Sequence, residues 1–129
     1  MKQLVLIVGT FYGMLSIVLG AFGAHLFKQI LSQAKLESFE VGVRYMMYSA
    51  LLLLIIGFFM DFNTGIEKSA ARLIMVGTFM FSVSIFLLAF SEKYNLPTSF
   101  LGPITPAGGF LMIIGWGMIL YYFIRYFKA

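Results

Sequence analysis

Four long apolar segments constrain this chain more than any other feature of its sequence. They cover residues 4–27, 41–60, 69–91 and 106–126. A helix needs about 20 mostly apolar residues to cross a bilayer, because the hydrocarbon core is about 30 Å thick. Four such segments use most of the 129 residues. The sequence therefore predicts a single all-α membrane domain, folded as an antiparallel four-helix transmembrane bundle.

The charge content agrees with a lipid environment. Charged residues make up 11% of the chain and hydrophobic residues 61%, whereas soluble domains carry about 25% charged residues. The net charge is +4, but the basic residues stand singly near the segment ends. We therefore expect membrane lipids rather than nucleic acid as partners. The absence of cysteine from the sequence excludes disulfides and thiolate metal sites.

The first apolar segment and the residues after it allow two further predictions. The segment is about twice as long as the apolar region of a secretory signal peptide, so we expect it to remain in the protein. Residues 28–40 mix apolar side chains with Lys28, Lys35 and Glu37. This mixture predicts a short amphipathic helix lying in the membrane interface. A solvated loop is the alternative.

Four spans place both chain termini on the same side of the membrane. If that side is the cytoplasm, it holds Lys2, Lys68, Arg72, Arg125 and Lys128. The other side then holds Lys28, Lys35, Arg44 and Lys93. Because cytoplasmic loops carry the excess of Lys and Arg, this distribution favours cytoplasmic termini, in the plasma membrane.

Small residues recur at helical spacing in the apolar segments. Such residues let helix backbones approach closely, which replaces the hydrophobic drive that lipid removes. The predicted packing residues are Gly9, Gly13, Gly20 and Ala24 in the first span, Gly77 in the third, and Gly108, Gly109 and Gly115 in the fourth. These stripes can face a neighbouring helix of the same chain or a second copy, so the sequence leaves a homo-oligomer open.

Polar residues near one end of the spans form the candidate site. His25 closes the first span, Glu40 and Arg44 form an i,i+4 pair opening the second, and Thr105 is the expected N-cap of the fourth. A lipid-headgroup site at this mouth is one interpretation; an interfacial histidine and a structural salt bridge are the other. The remaining candidates at membrane depth are Tyr45, Tyr48, Ser49 and Ser84.

Catalytic and metal chemistry find no support in the sequence. His25 is the one histidine, and it has neither a cysteine nor a second histidine to complete a metal site. No serine is accompanied by a histidine base and a carboxylate in the way that nucleophilic catalysis requires. We therefore predict no catalytic residue, no metal and no cofactor, and we expect the protein not to be an enzyme.

Four motifs in chain order resemble the YgdD-like membrane proteins, domain of unknown function family 423. They are Gly20-Ala21-Phe22-Gly23-Ala24-His25, Phe39-x-x-Gly42-x-x-Tyr45, Phe81-Ser82-x-Ser84, and Gly102-Pro103-Ile104-Thr105-Pro106-x-Gly108-Gly109 with Gly115-Trp116. The resemblance covers essentially the whole chain. It implies a bacterial inner-membrane protein with four spans and no established activity.

Two positions depart from the family pattern. Ser49 stands where the family often has a histidine, and Val83 stands where it often has a glycine between the two serines. The missing second histidine weakens the case for a histidine-based site further. The leading prediction is a non-enzymatic structural, accessory or lipid-binding membrane component. The alternative is an oligomeric transport or channel subunit for a small solute or a lipid.

Overall fold

The computed structural model describes residues 1–128. These residues form seven helices and no β-strand. The helices are α1 Lys2–His25, α2 Phe27–Ile30, α3 Gln33–Phe59, α4 Gly65–Ala89, α5 Ser91–Tyr94, α6 Thr98–Leu101 and α7 Ile104–Arg125. Four helical segments are long and apolar enough to cross a membrane: α1, α3, α4 and the stretch Thr98–Arg125 that ends in α7. The predicted all-α architecture with four spanning helices is confirmed.

The region between α1 and α3 differs from the predicted interfacial helix. Residues 28–40 do not form one separate element: α2 is a single turn, and α3 begins at Gln33. The hydroxyl of Ser32 accepts a hydrogen bond from the backbone N–H of Lys35 at 3.3 Å and so caps α3. Because Leu36 and Phe39 are buried, packing extends α3 beyond the apolar segment visible in the sequence.

A capping box fixes the start of α4. The backbone N–H of Thr64 donates to Glu67 Oε2 at 2.8 Å, and the hydroxyl of Thr64 accepts from the backbone N–H of Glu67 at 3.4 Å. Two otherwise unpaired backbone donors are satisfied in this way. The helix therefore starts at Gly65, several residues before the predicted apolar segment.

The four long helices stand in a row rather than in a closed ring. α1 packs on α3, α3 on α4, and α4 on α7, while α1 and α7 do not pack against each other. The two inner helices have 44% of their most apolar stretch buried, against 22% for the two outer ones. One bond ties α1 to α4, from the Tyr12 hydroxyl to the carbonyl oxygen of Met75 at 2.7 Å. The outer faces of α1 and α7 are thus left for lipid.

Glycines bring α4 and α7 into close backbone contact. A Cβ built on Gly77 would lie 2.8 Å from the carbonyl oxygen of Gly108, and one on Gly108 would lie 2.5 Å from the backbone nitrogen of Phe81. A Cβ on Gly115 would lie 2.8 Å from the Ile74 side chain. Real Cβ atoms do not come this close, so any larger residue would separate the helices. Gly109 has a wider contact with Phe81, at 3.5 Å.

The small residues of α1 face α3. Gly9, Gly13 and Gly20 each lie against α3, with the closest approach at Gly9, where a Cβ would lie 3.0 Å from Leu53 Cβ. Ala24 departs from the predicted stripe because it is exposed. Gly23 is buried in its place, and a Cβ built on Gly23 would lie 3.2 Å from the ring of Phe39. The contact stripe thus shifts by one residue at the end of α1.

Replacing Gly108 with alanine should destabilise the protein, because the added methyl group meets backbone atoms of α4 that cannot move aside individually. Overpacking of this kind costs about 1–3 kcal/mol. Gly117→Ala is the matched control, since nothing lies within 4 Å of its added Cβ. Unfolding in mixed micelles of increasing denaturing-detergent content measures both variants. Equal stability of the two variants would contradict the close α4–α7 contact.

Candidate functional site

The predicted polar residues lie on different sides of α3 and do not gather in one site. An α-helix turns about 100° per residue, so Glu40 and Ser49, nine positions apart, lie on opposite faces of α3. His25 is exposed at the end of α1. The prediction of a single polar site needs this correction, because spacing along a segment did not reveal which face each residue occupies.

Glu40 and Arg44 lie at the contact between α1 and α3. They line a shallow cavity of about 230 Å³ together with Gly20 and Gly23. Both side chains are exposed. Within residues 1–128 the carboxylates that accept hydrogen bonds belong to Glu37 and Glu67. Glu40 and Arg44, the i,i+4 pair predicted from the sequence, therefore form no hydrogen bond with each other in the described part of the chain.

A second groove runs between α3 and α7 at membrane depth. Tyr45, Tyr48 and Ser49 line it from α3, and Met112 and Trp116 line it from α7, around a volume of about 510 Å³. The Tyr45 ring packs edge-on against Tyr48, with ring centroids 5.5 Å apart. Aromatic and aliphatic surface dominates this groove, which suits lipid chains or an apolar helix better than a charged ligand.

Ser84 and Thr105 join α4 to α7 at one end of the bundle. Their hydroxyl oxygens are 2.6 Å apart, and the Ser84 hydroxyl is also within hydrogen-bond reach of the Phe81 carbonyl, at 2.9 Å. Thr105 is not the N-cap predicted from the sequence. α7 begins two residues before the predicted start, at Ile104, with Pro103 in the cap position and no capping side chain. The Thr105 hydroxyl therefore bonds a neighbouring helix instead of its own backbone.

A cleft between α3, α4 and α7 has the mixture of groups that suits a functional site. Its volume is about 520 Å³. The polar side chains lining it are Lys35 and Ser38 from α3 and Thr105 from α7. Its other lining residues are Val41, Ile85, Leu88, Ala89, Gly102 and Pro106. A cation and two hydroxyls thus stand on largely apolar walls, at the end of the bundle where the sequence predicted a mouth.

Lys35 and Ser38 were not among the candidate residues, although the sequence contains a signal for them. They stand three residues apart, and Val41 follows at the same interval. Residues at i and i+3 are neighbours on a helix surface. Because residues 28–40 were interpreted as a separate interfacial helix, this stripe was not recognised as part of the second spanning helix.

Metal ligation has no obvious centre in the part of the chain that the structure describes. Among residues 1–128 no group of three or more His, Cys, Asp or Glu side chains could hold a metal ion. The candidate site is therefore described by its lysine, its hydroxyls and its apolar walls.

Comparisons with known proteins identify the family. A family model described as a protein of unknown function (DUF423) matches residues 19–109. The UPF0382 membrane protein YwdK of Bacillus subtilis is 36% identical over 94% of this chain and 96% of its own length. A UPF0382 membrane protein of Staphylococcus haemolyticus is 36% identical over 92% of this chain and 93% of its own.

The similarity extends beyond bacteria. A UPF0382 membrane protein of Schizosaccharomyces pombe is 31% identical over 84% of this chain and 91% of its own length. No solved structure matches the chain. The chain belongs to the DUF423 family and is an integral membrane protein of uncharacterised function.

Proposed function

We propose that this protein is a non-enzymatic membrane component that holds the headgroup of a phospholipid in the cleft between α3, α4 and α7. The observation that carries the proposal is the combination of Lys35, Ser38 and Thr105 on apolar walls at the end of the helices. A phospholipid has the matching chemistry, with a charged phosphate next to apolar chains.

The charge in the cleft favours an anion. Lys35 is half-buried, and no Asp or Glu lines the cleft with it. A lysine ammonium has three donors and no acceptor. With the hydroxyl of Ser38 as a further donor, the cleft can engage more than one oxygen of a phosphate group. The hydroxyl of Thr105 is held by Ser84 at 2.6 Å and fixes the wall of the cleft.

Along the cleft, polar groups come first and apolar groups follow, in the same order as the headgroup and the chains of a lipid. Lys35 lies in the first turn of α3, and Val41 lies about 9 Å further along the helix at 1.5 Å per residue. Ile85 likewise lies about one turn deeper than Ala89 on α4, which ends at Ala89. The lysine therefore stands at the level of headgroups and the apolar walls continue toward the hydrocarbon core.

The hydroxyls near the cleft support a binding role over a catalytic one. Ser84 is engaged with Thr105 and with the carbonyl of Phe81. His25, the single histidine of the sequence, is not among the residues lining the cleft. A hydroxyl nucleophile needs an adjacent base, and the cleft offers none besides Lys35.

An oligomeric transport or channel subunit is the second candidate, favoured by the groove between α3 and α7. Tyr48 and Ser49 line that groove, and a second copy could enclose it. The groove does not continue to the other polar candidates, because Arg44 faces the α1 side and Ser84 is bonded to Thr105. A continuous polar path is therefore less well supported than a lipid cleft.

Replacing Lys35 with glutamine should weaken binding of an anionic phospholipid about fivefold, since one lysine near a membrane surface contributes about 1 kcal/mol to such binding. Native mass spectrometry of the purified full chain, titrated with phosphatidylglycerol in mild detergent, measures the bound fraction. Lys28→Gln is the matched control because Lys28 has the same charge at the same end but does not line the cleft. An equal loss in both variants would contradict the proposed site.

The orientation in the membrane forms part of the proposal. We place both termini in the cytoplasm and the Lys35 cleft on the outer side of the plasma membrane, because this orientation puts the larger number of cations inside. Lys128→Cys should then resist a membrane-impermeant maleimide on intact cells, and Lys93→Cys should react. The sequence has no native cysteine to interfere. Labelling of position 128 from outside would reverse the orientation.

A further inference from the structure

A second charged cavity lies at the end of the molecule opposite the Lys35 cleft. α1 and α4 begin there and α3 ends there. The cavity has a volume of about 600 Å³, and three cationic side chains and one carboxylate side chain line it together with Met1. These side chains are Lys2, Lys68, Arg72 and Asp61. In the sequence, the same three residues contribute to the predicted orientation in the membrane. The fold brings them to one cavity.

Hydrogen bonds to α3 hold the first of these cations in place. The ammonium of Lys2 donates to the carbonyl oxygens of Phe58 and Met60, at 3.2 Å each. These carbonyls lie at the C-terminal end of α3, where helix carbonyls lack partners within the helix. An ammonium has three donors, so one N–H of Lys2 stays free for a further acceptor.

The other two cations stand together without a carboxylate between them. Lys68 and Arg72 are four residues apart on α4, so they share one face, where like charges repel. Glu67 is engaged elsewhere, since its Oε2 accepts from both the backbone N–H and the hydroxyl of Thr64 at 2.8 Å. Glu67 is also buried, with 2% of its surface exposed. An anion bridging Lys68 and Arg72 would remove the repulsion.

Positive charge is in excess at this cavity. Among residues 1–128, Asp61 is the one carboxylate side chain that lines the cavity, against three cationic side chains, and Asp61 is exposed. Arg72 lies seven residues into α4, about 10 Å along the helix at 1.5 Å per residue. A charged side chain on a membrane-spanning helix normally has a partner of opposite charge or a wet cavity. The side chains of Leu4 and Phe62 give the same cavity an apolar wall.

We propose that this cavity binds a phosphate-bearing anion between Lys2, Lys68 and Arg72. The planar guanidinium of Arg72 suits two phosphate oxygens at once, and the two lysines add point charges. The phosphate belongs either to the headgroup of an anionic lipid or to a solute, and basic pockets between spanning helices are a recognised setting for anionic headgroups. The site is independent of the Lys35 cleft, because the two share no residue.

The test compares two double variants that remove the same charge at the same end of the protein. Lys68→Gln with Arg72→Gln removes the cavity cations. Arg125→Gln with Lys128→Gln removes two cations that do not line the cavity: Arg125 is the last residue of α7, and Lys128 follows the helix. Native mass spectrometry of the full chain measures phosphatidylglycerol binding, with phosphatidylcholine as the uncharged-lipid reference. Because the Lys35 cleft is proposed to bind the same lipid, the readout is the affinity of each successive binding step. We expect the first pair to weaken one step at least tenfold and the second pair to weaken every step less than threefold.

Inorganic phosphate distinguishes the two sources of the anion. If millimolar phosphate displaces phosphatidylglycerol from the wild type but not from the Lys68/Arg72 variant, the cavity accepts free phosphate. If it does not compete, the cavity is specific for a lipid headgroup. Equal losses in the two double variants, or no preference of the wild type for phosphatidylglycerol over phosphatidylcholine, would overturn the proposal.

Two further variants guard against a folding defect. Lys68→Arg with Arg72→Lys keeps both charges and should retain binding within about threefold. Asp61→Asn removes the carboxylate that opposes an anion and should tighten binding severalfold. Weaker binding in Asp61→Asn would contradict the proposal even if the Lys68/Arg72 variant did not fold. The Lys35→Gln variant should leave binding at this cavity unchanged.

Discussion

Close backbone contact between α4 and α7 is the interaction on which the rest of the structure depends. Lipid supplies no hydrophobic drive for helix association, so stability requires contact between backbones and well-packed side chains. Gly77, Gly108 and Gly115 permit that contact. The contact also fixes the start of α7 against the end of α4, which brings Thr105 to Ser84. The cleft that includes Lys35 exists because α3 packs on the other side of α4.

The fold could be predicted from the sequence because a bilayer allows few solutions. Long apolar segments must form helices, since lipid leaves no other partner for backbone groups. The spacing of the glycines predicts which faces of the helices make close contacts, but not which helix each face contacts. The arrangement in a row is a tertiary property, and neither segment length nor residue spacing contains it. The start of α3 at Gln33 was missed because Ser32 caps the helix in a region of mixed polarity.

The candidate site was predicted less well than the fold, for a physical reason. Polarity along a span shows which residues are unusual, but not which face of a packed helix they occupy. Glu40, Ser49 and Thr105 therefore entered one predicted site although they lie in three places. The two charged cavities are formed instead by cations outside that predicted site, Lys35 in the first and Lys2, Lys68 and Arg72 in the second. Each combines cations from the chain with an apolar wall at the edge of the bundle, which supports phospholipid as the common ligand class.

Oxidative cross-linking in native membranes tests whether α4 packs on α7 of the same chain at Ser84 and Thr105. Ser84→Cys with Thr105→Cys gives the only thiols, since the sequence has no cysteine. Hydroxyl oxygens 2.6 Å apart place the two residues within reach of a disulfide. We expect a monomer whose fragments on either side of Lys93 stay joined after tryptic cleavage until the disulfide is reduced. A cross-linked dimer, or fragments that separate without reduction, would contradict it.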